Sequence, residues 1–345
     1  MKKKKNVDYK KNIDKNSVLK KRLLLMVSFF LITYFFQNQL HATQVVAFYN
    51  CENFYDTTNQ LIVNDEEFLP NSAKGYSASR YAQKTAQLGK VIFGLGQLGT
   101  KEGLALLGVA EIENQYVLEK VIQSNAIRKY QYQYIHFNSK DPRGIDVALI
   151  YQPRFFKPYQ YKTFSLKDAN HFQDYATRDI LLVKGQLKAQ WVYILVNHWP
   201  SRRTDDSEPK RIKAAESARV FLDSVLKVNP NAKIVFMGDL NDHPSDKAPQ
   251  LISNKLNPMI SKASGEFGGT HQYNKEWDVL DHIMVSPGFQ KGKIKVVPNS
   301  GKIHSFSYLI EEYKGNKQPF RTYVGAKYLG GYSDHLPVSI QVKLK

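Results

Sequence analysis

The sequence predicts a mixed α/β fold in one large domain, and three observations carry that expectation. Short apolar runs rich in β-branched and aromatic side chains recur from residue 44 almost to the C-terminus. Only two stretches have the length and periodicity of long helices, and neither an internal repeat nor a Ser/Gly-rich linker divides the body. With 42% hydrophobic and 12% aromatic residues among 345, the chain is not wholly disordered, and Gly 20 with Pro 14 excludes a collagenous or low-complexity chain. The single cysteine, Cys51, excludes an internal disulfide framework and a thiolate metal cluster, so a bound metal would sit on oxygen or imidazole.

The first element, residues 1–42, is read as an export segment rather than part of the fold. Ten of the first 22 residues are Lys or Arg, and they run into the apolar stretch Leu23 to Phe36. As a helix those 14 residues reach ~21 Å, short of the ~30 Å hydrocarbon core. A basic region followed by a short apolar one is a signal peptide, with Leu40-His41-Ala42 at its cleavage site. The alternative is an uncleaved anchor over residues 23–36, which would be the chain's only membrane contact. Either way residues 43–345 are expected outside the cytoplasm, periplasmic or extracellular. Residues 1–42 hold ten basic and two acidic residues of the totals 49 and 31, which leaves the body 39 against 29, or +10. That excess favours an anionic partner; solubility alone is the competing explanation.

In the body, Gln44 to Tyr49, Ala105 to Ala110, Ile145 to Tyr151 and Asp179 to Leu187 are expected as strands. So are Trp191 to Asn197, Lys233 to Met237, Asp281 to Val285 and Pro337 to Val342, several apolar throughout and therefore buried on both faces. Ser79 to Gly94 and Glu208 to Lys227 are expected as helices. The second has Ala214, Ala215, Ala218, Phe221, Leu222 and Val225 on one stripe, Pro209 at its start and Asn229-Pro230 at its end. Gly94 to Gly99 matches the dinucleotide fingerprint G-x-G-x-x-G, but a helical pattern precedes it and a strand pattern follows, the reverse of what pyrophosphate binding requires.

Polar side chains gather where the apolar runs end: Asn50 and Glu52, Glu111 and Glu113, His198, Asp239 with Asn241 and Asp242, Asp281-His282, and Ser333-Asp334-His335. A carboxylate ending one strand is usually a cap or turn former; this many acids, histidines and amides at successive strand ends exceed what turns need. A hard cation such as Mg²⁺ takes oxygen ligands and keeps several waters, a role that suits Glu111 and Asp334. Phosphoester hydrolysis also needs an oriented water and stabilised phosphoryl oxygens, which suits Asp239, Asn241 and a cationic His335 whose tautomer is held by an acid.

Tyr49-Asn50, Val109-Ala110-Glu111-Ile112, Asn197-His198, Gly238-Asp239-Leu240-Asn241, Leu280-Asp281-His282-Ile283 and Ser333-Asp334-His335-Leu336-Pro337-Val338, in this order, resemble the endonuclease/exonuclease/phosphatase superfamily over roughly residues 44 to 343. The resemblance implies a four-layer α/β/β/α sandwich of two packed mixed sheets flanked by helices, with a Mg²⁺-dependent phosphoesterase site at one rim; Mn²⁺ or Ca²⁺ is the alternative ion. It implies Glu111 as principal metal ligand with Asp334 and Asn50 completing or supporting the metal site, Asp239 and Asn241 on the attacking water, and His335 held by Asp281 on the phosphoryl group. His198 takes the place of a second histidine, and Asp146 in Arg143-Gly144-Ile145-Asp146-Val147 that of its acidic partner. Ala110 departs from the pattern, since relatives commonly have Gln there. Glu52, Glu113, Asp242 and His282 are read as local hydrogen-bonding groups and Cys51 as a small buried residue.

Substrate choice lies in the loops. His198-Trp199-Pro200-Ser201-Arg202-Arg203, with Arg178 nearby, is basic and aromatic, and suits backbone phosphates with Trp199 stacked on a base. The expected protein is therefore an exported Mg²⁺-dependent nuclease acting on DNA or RNA, a monomer with no protein partner. The alternatives are a phospholipid or sphingomyelin phosphodiesterase, a phosphatase of a small phosphoester, and a non-enzymatic binding module.

Overall fold

A computed structural model describes residues 26, 28, 43–165, 176–202 and 207–344. Residues 43–344 form one compact unit, and almost all of the segment read as an export signal lies outside the described residues. Among those residues no helix is long and apolar enough to cross a membrane.

The chain begins with β1 (Thr43–Phe54), then helix α1 (Ala78–Gly96), β2 (Leu106–Ile112), helix α2 (Gln115–Ile122), β3 (Gln133–His136) and β4 (Asp146–Tyr151). Next come β5 (Phe156–Phe164), β6 (Ile180–Leu187), β7 (Gln190–His198), helix α3 (Ser207–Val228), β8 (Lys233–Asp239), helix α4 (Lys247–Ser253) and β9 (Asn257–Pro258). The hairpin β10 (His271–Tyr273) and β11 (Glu276–Asp278) leads into β12 (Asp281–Val285), β13 (Ile294–Val296) and β14 (Lys302–Ile303). Two small hairpins, β15 (Ile310–Tyr313) with β16 (Asn316–Pro319) and β17 (Tyr323–Val324) with β18 (Lys327–Tyr328), precede the last strand, β19 (Val338–Leu344).

Two mixed sheets result. One has the order β13-β19-β1-β2-β4-β3, with β14 also on β19; the other is β5-β6-β7-β8-β12-β9. Each contains one parallel pair, β1/β2 and β7/β8, and in each the crossover is a long helix, as a parallel connection requires. The sheets pack face to face. Gly108 of β2 lies so close to β8 that an added Cβ would sit 2.5 Å from Met237 Sδ.

Strand periodicity explains the layers. Leu181, Val183, Val192, Ile194, Val196, Val235 and Met237 enter the main core with the first sheet. Their neighbours Ile180, Leu182, Leu195, Ile234 and Phe236 turn the other way, onto Ala214, Ala215, Ala218 and Leu222 of α3 and onto α4. Leu88, Val91 and Leu95 of α1 cover the outside of the first sheet. The four-layer sandwich is therefore the architecture, and the expected strands and the two long helices stand within a few residues of their observed bounds. Gly94 to Gly99 is the end of α1 and the turn after it, with Gln97 as C-cap.

This topology places the site. The parallel strands β1, β2, β7 and β8 all end at one rim, and their antiparallel neighbours β4, β12 and β19 begin there. Asp239 closes β8, and the ladder sets His198 beside it on one side and Asp281 on the other.

Candidate active site

Two bulges open the rim. The ladder between β1 and β2 shifts register between Asn50 and Phe54, and that between β2 and β4 shifts between Ala110 and Ile112. There the backbone enters the left-handed region at Glu52 (φ 47°), Asn53 (φ 48°) and Glu111 (φ 61°), and Asn241 joins them at φ 51°. Non-glycine residues avoid this region, so four of them at one rim mark backbone held out of line to aim side chains.

Asp239 is the centre. Its Oδ1 accepts from the Asn241 backbone N–H at 2.9 Å and its Oδ2 from Asn50 Nδ2 at 3.0 Å. The same Oδ2 lies 3.7 Å from Nε2 of both His198 and His335. Burial raises the Asp239 carboxyl to about 7, against the opposing pull of His335. The two histidines are driven apart. Burial pulls His335 down, but Asp281, with Oδ2 2.7 Å from Nδ1, together with Asp239 and Asp334, more than reverses this and holds the ring protonated. His198 is lowered by burial and then by Arg178, Arg143 and His335, and stays neutral. Paired groups with opposite shifts are the arrangement acid and base chemistry needs near neutral pH.

The metal-ligand candidates face the same cleft, whose volume is about 680 Å³ and whose wall includes Glu111, Asp239, Asp334, His198 and His335. Glu111 Oε2 accepts the Asn53 N–H at 2.6 Å, while its Oε1 lies 3.9 Å from His198 Nε2. Asp334 Oδ2 takes Arg321 Nη2 at 2.9 Å, while Oδ1 lies 4.0 Å from His335 Nε2. Both remaining contacts are longer than a hydrogen bond. Each carboxylate is thus tethered by one oxygen and presents the other to the cleft, a hard-oxygen donor set that fits a divalent cation of the Mg²⁺ kind. His271, 4.9 Å ring to ring from His335, lies close enough to Asp334 to share an ion with it, whereas protonated His335 has no lone pair to give a metal.

Asn50 supports the site through Asp239: its Nδ2 binds that carboxylate and its Oδ1 accepts the Glu52 N–H at 2.9 Å, and it is not among the residues lining the cleft. Three expectations are corrected. Asp146 does not hold His198. Its Oδ1 accepts the Ser139 N–H and its Oδ2 lies 3.3 Å from His136 Nε2, while His198 Nδ1 is buried without a hydrogen bond among the described residues. Trp199 does not stack on a substrate. It is 1% exposed and packs against Phe236, and its carbonyl receives Arg178 Nη2 at 2.8 Å and Asn241 Nδ2 at 3.0 Å. Arg178 lines the cleft, but its guanidinium is committed to Asp141 at 2.9 Å and to that carbonyl. Arg202 also lines the cleft, with Nη2 2.9 Å from Asp278, and Arg203 lies outside the described residues.

Two cations were not anticipated. Arg143 donates to Asn53 Oδ1 and lies 3.8 Å from Glu111. Arg321 binds Glu52 Oε1 through Nε at 3.3 Å in addition to Asp334. Arg143 belongs to the motif Arg143-Gly144-Ile145-Asp146-Val147, whose acid is the more conspicuous residue; Arg321 carries no motif, since a loop alone brings it to the rim. Glu52 is more than a local bonding group, for it ties Arg321 and the Thr322 N–H together. Cys51 is buried, and burial pushes its thiol up to about 12.

A two-sheet sandwich whose rim joins an amide-held carboxylate, a protonated histidine and tethered acids is the site of a phosphoester hydrolase. A sequence profile of the Endonuclease/Exonuclease/phosphatase family matches residues 45–344, and the chain belongs to that family, whose members are phosphoester hydrolases and typically depend on a divalent metal. No curated protein matches the sequence. Among solved structures, an endonuclease/exonuclease/phosphatase family protein from Bacteroides thetaiotaomicron shares 15% identity at a TM-score of 0.56, over 88% of this chain and 95% of that one. A mannosyl-6-phosphatase from the same organism shares 14% at 0.56, over 87% and 99%. The human Nocturnin catalytic domain with bound sulfate shares 14% at 0.53, over 89% and 96%. At these identities the likeness is one of fold.

Proposed function

We propose that the protein is an exported, Mg²⁺-dependent phosphoester hydrolase in which Asp239 activates water for attack on phosphorus, and that its substrate is a compact phosphoester. The placement of Asp239 carries the mechanism. Its carboxylate is oriented by Asn50 and Asn241 and points between a neutral and a cationic imidazole. With a value near 7 it can take a proton from water at neutral pH. Protonated His335, fixed by Asp281, stabilises charge on the phosphoryl oxygens, and Asn241 helps position the water. A divalent cation held by Glu111 and Asp334 would neutralise the phosphate and polarise it toward attack. Export is supported by the basic and apolar character of residues 1–36.

The compact substrate is favoured because the features that spoke for a polymer are engaged within the fold: Trp199 in the core, Arg178 on Asp141, Arg202 on Asp278. Nuclease action remains the second reading, supported by the +10 charge of the body. The mannosyl-6-phosphatase among the similar folds is consistent with the first, the Nocturnin catalytic domain leaves substrate open. The test offers supercoiled plasmid, single-stranded RNA, sphingomyelin and sugar phosphates to the purified protein, with Mg²⁺ and with chelator. Release of phosphate from the small esters alone supports this reading; plasmid nicking or RNA cleavage that needs Mg²⁺ would replace it with the nuclease.

A further inference from the structure

A second cleft, of about 570 Å³, adjoins the reaction cleft, and Arg143 and Arg321 line both. One molecule can therefore occupy the two together, its phosphate on the Asp239 side of the arginines and its organic part beyond them. Resting on the hydrolase reading above, we propose that this second cleft receives the alcohol portion of the ester and is built for an uncharged, polyhydroxylated group of sugar size.

The chemistry of its wall points that way. Asn64, Glu66 and Glu67 are exposed and line the cleft, offering carboxamide and carboxylate oxygens that accept from hydroxyl groups. Phe68 closes the floor of the cleft: it is buried, with the Tyr55 ring stacked on it at 4.3 Å and Lys74 Nζ over the ring at 4.9 Å. The cations offer little to a second anion. Lys74 Nζ is 3.2 Å from Glu67, Arg321 is bound to Glu52 and Asp334, and Arg143 lies beside Glu111. Glu66 has no ion-pair partner among the described residues, so it disfavours a second phosphate placed beside it. A nucleic-acid strand leaving the reaction cleft by this route would bring its next phosphate against Glu66 and Glu67; a neutral polyol would not. The volume falls in the range of small-molecule sites. In the reaction the P–O bond to the alcohol breaks, water oxygen bonds to phosphorus, and the departing alcohol oxygen takes the proton.

The test measures kcat/KM of the full-length protein with Mg²⁺ for n-hexyl phosphate, hexose 6-phosphate and hexose 1,6-bisphosphate, in the wild type and in the Glu66→Lys/Glu67→Lys variant, whose changes lie at exposed positions. The three probes share the scissile group and differ in hydroxyls and charge. The wild type is expected to favour hexose 6-phosphate over each of the others by at least about tenfold. In the variant the ratio of bisphosphate to monophosphate is expected to rise about tenfold or more. Turnover of the alkyl ester equal to that of the sugar ester, or an unchanged ratio in the variant, would overturn the assignment while leaving the hydrolase intact. Absence of turnover on every ester, the wild type included, would overturn the compact-ester reading and this assignment with it.

Discussion

Asp281→Asn isolates the group that keeps His335 charged. Asp281 is fully buried, and its Oδ2 meets His335 Nδ1 at 2.7 Å; the other acids near that ring, Asp239 and Asp334, stand at 3.7 and 4.0 Å from Nε2 and make no hydrogen bond to it. The amide keeps the size of the side chain and removes the charge. Losing a charged partner in a buried hydrogen bond costs about 2–4 kcal/mol. If that stabilisation acts on the charge developing at phosphorus, the loss is roughly 30- to 1,000-fold in kcat, since each 1.4 kcal/mol is tenfold. The sign for His335 is downward: without Asp281 the ring gives up its proton at lower pH. Two measurements follow, the NMR titration of the His335 ring and the pH profile of kcat. The variant should titrate at lower pH than the wild type and lose activity at neutral pH while keeping its near-UV spectrum. A variant within about threefold of wild-type kcat, or a ring that titrates as before, would refute the role given to Asp281.

Other expectations concern the metal, the core and acid stability. Glu111→Ala should weaken Mg²⁺ binding by roughly 100-fold or more, read by calorimetry, with little change in melting temperature. Trp199→Ala should cost about 3–5 kcal/mol of stability in a denaturant titration, because the ring is core and not a stacking platform; weaker substrate binding at unchanged stability would contradict that placement. Burial, and secondarily Lys302, lowers His304 to about 4, and its neutral ring lies 2.8 Å from Ser339 Oγ. Its stabilising contribution is therefore complete above the unfolded value of 6.5 and is lost as pH falls toward 4. His304→Gln should remove about 2 kcal/mol of the acid-side decline, a figure reduced for the ring's partial exposure and read as a flatter melting temperature between those limits.

Much of this architecture was legible because burial on both faces writes itself into sequence as unbroken apolar runs, as in Leu106–Ile112 and Lys233–Asp239. Strand β5, Phe156–Phe164, escaped because it is an edge with five exposed positions and a sequence of lysines and tyrosines. Helix α2 escaped because its eight residues are too few to show a period. At the site, acids and histidines at strand ends could be read individually, but their pairing could not. Asp146 was assigned to His198 by chain order, whereas the fold gives it to His136. Whether Trp199 turned inward was undecidable without the α3 layer that covers it, and Arg321 reaches the rim only because a loop between small hairpins folds back on β1.

The central claim is that water, activated by Asp239 in the presence of a divalent cation, attacks phosphorus. It is tested most directly by one turnover experiment in ¹⁸O-labelled water with Mg²⁺ and a sugar phosphate, read by mass spectrometry of both products. Label is expected in the phosphate and none in the alcohol, with turnover abolished by chelator and by Asp239→Asn. Label in the alcohol, or undiminished turnover in that variant, would contradict it.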